Sequence, residues 1–241
     1  MDIKNKIGII GGMGPEATIQ LQRNILKSTP AKKDQDHLEV FTINNPNIPD
    51  RTNFILKNED DPYPMILDAA KKLEFSGANF LAISCNTAHI FADNLRKDIS
   101  IPFIDMVDET KEFIKVNYPG SKRIGLLATT GTIVSNIYTS RLEREGFDII
   151  TPASKVQKDF VMKAIYEIKS GKKSNPKILL EAAASYLVSR GADIIIMGCT
   201  EIPLTLKQEN VSYVVIDPLK ILSETLVKRC TENKEKLLKV N

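Results

Sequence analysis

GANFLAISCNT, residues 77–87, recurs later in the chain as GADIIIMGCTE, residues 191–201, and a cysteine stands at the same place in each copy. Each copy is an apolar run that ends in polar residues, which is typical of a buried β-strand followed by a turn. Two further segments recur in the same order, KIGII at 6–10 as RIGLL at 123–127, and FID at 103–105 as VID at 215–217. The spacing between copies changes little, so the chain is predicted to contain two similar domains rather than a solenoid of short repeats.

Strand-like apolar runs alternate with amphipathic, helix-like stretches along the chain. The run at 7–10 ends in Gly11 and Gly12, and Pro15 then opens a helical pattern that lasts to Leu26. This alternation predicts an α/β fold of two similar domains, each a parallel sheet flanked by helices. Functional groups then lie at the carboxyl ends of the strands, and we expect the active site in the cleft between the two domains.

The composition argues against several classes of partner. A formal net charge of +3 is small for 241 residues, and there is no Trp among the 6% of aromatic residues, so we expect no nucleic-acid partner. No apolar run reaches the roughly 20 residues of a membrane span, and no signal-peptide pattern follows Met1, so we expect a cytoplasmic protein with no membrane partner. Three cysteines are an odd number, which does not suggest a disulfide framework.

Five short motifs stand in a fixed order along the chain. They are GGMGPEAT at 11–18, PDR at 49–51, CNTAH at 85–89, LATTGT at 127–132 and GCTE at 198–201. Together they resemble the motifs of the aspartate/glutamate racemase superfamily, most closely those of its aspartate racemases, from about residue 7 to residue 217. The resemblance implies a cofactor-independent isomerase that interconverts L- and D-aspartate, with Cys85 and Cys199 as the catalytic pair.

Two cysteines in equivalent positions suit proton exchange at a carbon atom. One thiolate removes the α-proton, a second thiol returns a proton to the opposite face, and the roles reverse for the other enantiomer. Pyridoxal phosphate would be the usual electron sink, but no convincing pair of a Schiff-base lysine and a phosphate-binding turn is found, so no cofactor is expected. Because Cys85 and Cys199 each precede a predicted helix, we expect backbone N–H groups and the helix dipole to lower both thiol pKa values from the usual ~8.5. Cys230 has no counterpart in the first half.

Polar residues follow both cysteines and are candidate substrate-binding residues. By resemblance, Asn86, Thr87 and Ala88 line the site of the substrate's α-carboxylate. Considered alone, Asn and Thr at these positions would cap a helix, and one helix terminus can serve both roles. Thr200 and Glu201 follow the second cysteine, and we expect Glu201 either to orient a thiol or to receive the substrate's ammonium group.

Arg51, Lys169 and Met13 complete the candidate substrate-binding residues. By resemblance, Arg51 binds the side-chain carboxylate of aspartate in a bidentate fork, and Lys169 is a second cation at this site. Considered alone, Arg51 is a surface charge in a Pro-rich loop, and Lys169 is a lysine at a helix C-terminus. Met13 follows the glycine turn and is a candidate pocket wall. Two cations favour an acidic amino acid as the small-molecule partner.

The domain limits depend on the source of the inference. The repeat alone places one boundary near Pro119. The resemblance implies that the chain crosses back, so that residues 1–105 and 217–241 form a first domain with Cys85, and residues 106–216 form a second with Cys199. It also implies a homodimer.

Other interpretations of the same residues stay open. GMGPEA at 12–17 fits the G-x-G-x-x-A dinucleotide fingerprint, but the second strand runs into Asn44, where an acidic residue is expected. Cys85, His89 and Cys199 would suit a metal site or a Cys–His hydrolase. No further ligand cluster at zinc spacing accompanies them, so no metal is expected.

The substrate is open to alternatives as well. A related enzyme of the superfamily would act on glutamate, on a broader set of amino acids, on a hydantoin or on maleate. A non-enzymatic binding protein for an acidic metabolite would keep Arg51 and Lys169 but would not need two matched thiols.

Overall fold

Three parallel strands form the first sheet, in the order β2-β1-β3. In the computed structural model, which describes residues 5–171 and 175–238, the strands are Ile7–Gly11 (β1), Val40–Asn44 (β2) and Phe80–Ile83 (β3). β1 is buried along its whole length because it is the central strand. A single parallel bridge between Leu81 and Phe103 continues the sheet beyond β3.

Four parallel strands form the second sheet, in the order β5-β4-β6-β7. They are Arg123–Ala128 (β4), Asp148–Ile150 (β5), Ile194–Gly198 (β6) and Val214–Ile216 (β7). The order repeats that of the first sheet strand for strand, with the bridge at Phe103 in the place of β7. The predicted α/β fold with two similar parallel sheets is therefore confirmed.

Helices connect the strands in both sheets. Helices α1 to α11 are, in chain order, Pro15–Ser28, Arg51–Lys57, Tyr63–Phe75, Ala92–Asp98, Met106–Asn117, Thr130–Val134, Thr139–Glu143, Ser154–Val156, Lys163–Lys169, Pro176–Ser189 and Pro218–Leu238. In α1, Pro15 fixes φ at the first position, and the buried Ala17, Leu21 and Ile25 recur every fourth residue on one face. None of the helices in the described ranges is both long and apolar enough to cross a membrane.

The two sheets belong to two compact units. The first unit comprises Met1–Pro49, Asp61–Glu109 and Leu219–Asn241, and the second comprises Asp50–Asp60 and Thr110–Pro218. The sequence-based division assigned residues 50–60 to the first domain, but they pack in the second unit. That the chain forms two domains with limits near residues 105 and 217 stays a prediction.

Close packing of α2 against α6 explains the position of residues 50–60. A Cβ atom added to Gly131 of α6 would lie 2.9 Å from the Cα atom of Thr52 in α2. The missing side chain of Gly131 therefore lets the two helices approach backbone to backbone.

Each unit has a separate apolar core. In the first, Ile9 of β1 and Leu21 of α1 pack with Leu222 and Leu226 of α11. In the second, α9 and α10 cover one face of the sheet, with residues such as Leu180, Ala183, Leu187 and Ile195 fully buried. A fully buried Leu or Ile stabilises a fold by about 1.5–3 kcal/mol, so α11 is a major part of the first unit.

Candidate active site

The carboxyl end of the first sheet carries Cys85. Ile10 of β1 is in register with Ile83 of β3, so Cys85 follows at the sheet edge at which the turn containing Met13 begins. The side chains of Met13 and Cys85 are both buried, with 2% and 5% exposure. The glycine turn and the first predicted catalytic residue therefore share one edge.

Glycine is required at the start of this turn. Gly12 has φ of +97°, and an added Cβ would collide with the backbone of Asn45, which follows the neighbouring strand β2. The backbone of the turn can therefore approach the end of β2 closely.

Thr18 fixes the glycine turn to the segment that carries Cys85. Its Oγ1 accepts a hydrogen bond from the Gly12 N–H at 3.0 Å and forms a second hydrogen bond with Ser84 Oγ at 2.9 Å. All of these groups are buried, and buried hydrogen bonds of this kind specify one arrangement. Helix α1 thus holds β1 and the residue before Cys85 in fixed relative positions.

His89 holds the main chain of Cys85. Its Nε2 lies 3.1 Å from the Met106 N–H, which needs an acceptor, so the ring proton is on Nδ1. Nδ1–H then donates to the Cys85 carbonyl oxygen at 2.8 Å. Both ring nitrogens are engaged with backbone, so His89 acts on the position of Cys85 and not as a base for its thiol.

Metal ligands are not clustered in the parts of the chain that the structure describes. Within residues 5–171 and 175–238, no three His, Cys, Asp or Glu side chains are grouped so that they could hold a metal ion.

Cys199 occupies the equivalent place in the second sheet. It directly follows Gly198, the last residue of β6, which is in register with Ala128 at the end of β4. The thiol Sγ donates to Glu201 Oε2 at 3.0 Å, and Thr200 Oγ1 donates to the same oxygen at 3.2 Å. Glu201 is 5% exposed, so its carboxylate is directed at the thiol inside the protein.

The surroundings of Cys199 keep its thiol protonated at neutral pH. Burial is the largest cause and raises the pKa well above the ordinary value, and the negative charge of Glu201 raises it further. The positive charge of Lys169 acts in the opposite direction. The Cys199 thiol therefore carries its proton in this state.

The expectation that a helix dipole lowers both thiol pKa values is wrong for Cys199. The segment after it is a 3₁₀ turn of three residues, Ile202–Leu204, which is too short to act as a macrodipole. Cys85 is followed by a 3₁₀ segment as well, Thr87–Phe91, before α4 begins.

Arg51 is a buried cation of the second unit. It is the first residue of α2, and Asp50 caps this helix by accepting from the N–H groups of Thr52 and Asn53 at 2.8 and 2.9 Å. The Arg51 side chain is 7% exposed, so it is not a solvated surface charge. The contact of Thr52 with Gly131 places the start of α2 beside α6, which begins two residues after β4 ends.

Lys169 is the last residue of α9, as the sequence predicts for a C-terminal lysine. Its ammonium group lies 5.7 Å from the ring centre of Tyr166, and its charge acts on Cys199. The second unit therefore holds both candidate cations, Arg51 and Lys169, as well as Cys199 and Glu201.

Comparison with known proteins identifies the family of the chain. Residues 10–226 match the family model described as Asp/Glu/Hydantoin racemase. The chain belongs to this racemase family. Racemases are isomerases, so the coarse activity predicted from the motifs is confirmed.

Relatives within the Asp/Glu/hydantoin racemases differ in their named substrates. The broad specificity amino-acid racemase RacX of Bacillus subtilis (strain 168) is 29% identical over 231 residues, 92% of this chain and 96% of the relative. The solved structure of Picrophilus torridus aspartate racemase is 31% identical and has a TM-score of 0.82, with 94% of each chain covered. Glutamate racemase from Francisella tularensis, solved with D-glutamate, shares the fold at a TM-score of 0.70 and 20% identity, over 97% of this chain and 83% of that one.

The predicted site residues of this racemase fall into two groups, one in each unit. The first unit holds Met13, Cys85, Asn86, Thr87 and Ala88. The second unit holds Arg51, Lys169, Cys199, Thr200 and Glu201. All except Lys169 are buried. Sequence reasoning missed two further residues of the first unit, Thr18 and Ser84, whose buried hydrogen bonds hold the glycine turn. Thr18 stands in a motif, and Ser84 stands beside one.

Proposed function

We propose that this protein is a cofactor-independent racemase that interconverts L- and D-aspartate by a two-cysteine mechanism. The observation that carries the proposal is that Cys85 and Cys199 each follow the equivalent strand, β3 and β6, of two sheets with the same strand order. Two such thiols suffice to exchange the α-proton, provided that both reach one α-carbon.

Cys199 begins the proposed reaction as the acid. Its thiol is neutral because of burial and the charge of Glu201, so Cys85 is the base for the enantiomer that the resting enzyme accepts first. The Cys85 thiolate takes the α-proton, and the Cys199 Sγ–H proton is added to the opposite face of the carbanion. The Cys199 thiolate that remains is stabilised by the positive charge of Lys169, and it is the base for the reverse reaction.

Arg51 and Lys169 support an acidic substrate. The buried guanidinium of Arg51 offers a planar pair of donors for the side-chain carboxylate, and Lys169 adds a second positive charge in the same unit. In the first unit, Asn86, Thr87 and Ala88 start the 3₁₀ segment after Cys85, where backbone N–H groups suit the α-carboxylate. Met13 forms an apolar wall, and Thr200 supports Glu201.

A broader substrate range is the second candidate, because the similarity to a broad specificity racemase extends over 92% of this chain. The ratio of kcat/KM for aspartate to that for glutamate, alanine and lysine separates the two. We propose that aspartate has the highest value, since alanine and lysine bring no side-chain carboxylate to Arg51, and since the motifs resemble those of aspartate racemases more closely than those of glutamate racemases. We also propose a cytoplasmic homodimer, which light scattering of the purified protein and fractionation of the source cells would test.

The two-cysteine mechanism is tested by replacing each thiol. We expect Cys85→Ala and Cys199→Ala each to lower racemisation by about 100- to 10,000-fold, because each removes one acid–base group. Each variant should retain exchange of the α-hydrogen with solvent deuterium from one enantiomer only, measured by proton NMR in D2O. Cys230→Ala is the matched control, since this buried thiol is packed in the core of the first unit.

Full racemisation by either single variant would exclude the mechanism. A wild-type protein that binds aspartate but incorporates no deuterium at the α-carbon would instead be a binding protein.

A further inference from the structure

A π-helical segment interrupts the helical run that leads to Lys169. It covers Gln157–Met162 and lies between α8 and α9. Such segments are rare and are frequent at functional sites, because the wider turn changes which side chains face a site. Gln157, its first residue, is 7% exposed, so a primary amide is buried in the second unit.

Hydrogen bonds fix the orientation of the Gln157 amide. Nε2 donates to the Ala128 carbonyl oxygen at 2.9 Å and to Thr130 Oγ1 at 3.3 Å. A carbonyl oxygen only accepts, so the nitrogen must face Ala128 and Oε1 must point elsewhere. The other end of the π segment contacts the same place, where the Thr130 N–H donates to Met162 Sδ at 3.2 Å.

Gln157 Oε1 is buried and has no hydrogen-bond partner among the residues that the structure describes. Buried polar atoms without a partner are few in native proteins, and each is costly to stability. This oxygen is therefore an acceptor whose donor comes from outside the described protein groups.

The amide is bonded to the end of β4, the strand adjacent to the one that Cys199 follows. Ala128, which binds Gln157 Nε2, is paired in register with Gly198 on the adjacent strand β6, and Cys199 is the next residue. Neighbouring strands are about 4.8 Å apart, so the Ala128 backbone that binds the Gln157 amide lies one strand spacing from the residue before Cys199.

The geometry points to Gln157 Oε1 as the acceptor for the α-ammonium group of the amino-acid substrate. An acidic amino acid presents two carboxylates, which only accept, and one ammonium group, which is its only donor. In the second unit, Arg51 and Lys169 suit the side-chain carboxylate and cannot bind the ammonium. Glu201 is the alternative acceptor, but its Oε2 already accepts from Cys199 and Thr200.

A neutral acceptor suits this position chemically. A second carboxylate beside Cys199 would add to the negative charge that Glu201 already places on this thiol, and would oppose its ionisation in the reverse reaction. An amide oxygen orients the ammonium without that effect. This inference rests on the proposed racemase activity and names a specificity residue for it.

The test compares two ligands that differ in the ammonium group. We expect Gln157→Met, which keeps the side-chain length, to raise the KM for L-aspartate by about 10- to 100-fold, the effect of losing a hydrogen bond to a charged group. Inhibition by succinate, which has both carboxylates and no ammonium, should be unchanged. Gln157→Asn keeps a primary amide but withdraws the oxygen. It should also raise the KM for L-aspartate without changing inhibition by succinate, and it serves as the test if Gln157→Met does not fold.

Gln208→Met is the matched control from the same unit. Both amide atoms of Gln208 bind backbone, with Nε2 donating to Tyr213 O at 2.9 Å and Oε1 accepting from the Val215 N–H at 3.0 Å. This variant should lower the melting temperature without changing the ratio of aspartate to succinate affinity.

The outcomes separate the inference from the proposed function. Equal weakening of aspartate and succinate by Gln157→Met or Gln157→Asn, or no change in either, overturns the role of Gln157 while wild-type turnover of aspartate upholds the racemase. A wild-type protein that neither binds nor racemises aspartate overturns both.

Discussion

Glu201 favours the neutral form of the thiol that it contacts. Its carboxylate lies 3.0 Å from Cys199 Sγ, and both side chains are buried. A negative charge at this distance favours the neutral thiol, and burial acts in the same direction. In the mechanism that we propose, Cys199 therefore gives up its proton only when a carbanion forms beside it.

Replacing Glu201 tests this relation. We expect Glu201→Gln to lower the pKa of Cys199, because the charge is removed while the amide oxygen can still accept from the thiol. The measurement is the rate of iodoacetamide alkylation at Cys199 as a function of pH, followed by mass spectrometry of the peptide. Cys230 in the same sample is the control, since burial alone raises its pKa to about 12. An unchanged pH profile at Cys199 would contradict the assignment.

At the level of single residues, the sequence predicted where the cysteines lie in the fold better than it predicted the contacts of the side chains around them. Cys85 and Cys199 stand at strand ends as the repeat indicates. The structure shows the contact of Glu201 with a thiol, which is one of the two roles expected for it, and the binding of the substrate's ammonium group stays a prediction. Gln157 gave no signal, because a glutamine in a helical stretch is ordinary, and only a π segment turns it toward the end of β4.

Helix α2 is the element whose position the sequence did not predict. It begins at Arg51, directly after a Pro-rich loop, and packs on α6 in the second unit. A contact between Gly131 and Thr52, far apart in the chain, leaves no periodic pattern, whereas strands and the amphipathic α1 do.

The packing of α2 on α6 is tested at Gly131. We expect Gly131→Ala to destabilise the protein by about 1–3 kcal/mol, because the new methyl group must displace the backbone at Thr52. The KM for aspartate should also rise, since Arg51 is the neighbour of Thr52. Urea unfolding and steady-state kinetics measure the two effects.

Gly120→Ala is the control for this substitution, since an added Cβ there meets nothing within 4 Å. If both variants showed the same midpoint and the same KM, α2 would not depend on its contact with α6.

For the whole molecule, buried thiols make stability depend on alkaline pH. In the unfolded chain a thiol ionises near ~8.5, whereas burial raises the pKa of Cys230 to about 12. Above the unfolded value the folded state binds more protons, so the free energy of unfolding falls as pH rises, by up to about 1.4 kcal/mol per pH unit for the Cys230 thiol. This contribution is fully present below ~8.5 and is lost as pH rises toward the folded pKa.

Cys230→Ala tests how much of this fall in the free energy of unfolding with pH is due to Cys230. We expect the variant to be less stable than wild type at neutral pH, because it leaves a cavity, but to lose less stability between about pH 8 and pH 10. Urea midpoints at several pH values give the slope. A slope equal to that of wild type would show that the pKa of Cys230 is the same in the folded and the unfolded state.

The fold class of the whole molecule was predictable because the same pattern of elements occurs twice in the sequence. Two copies of strand, glycine turn and helix specify two parallel sheets, and the sheets share one strand order. The assignment of residues 50–60 to the second unit was not predictable, because it depends on a long-range contact of α2.

Helix α11 joins the first unit from the far end of the chain. Leu222 and Leu226 complete a core whose strand β1 precedes every residue of the second unit in the chain. During translation, the second unit has all of its residues once Pro218 has been added, while the first still exposes Ile9 and Leu21. Of the two units, the one whose residues emerge earlier from the ribosome is therefore completed later, and it needs protection from aggregation in the meantime.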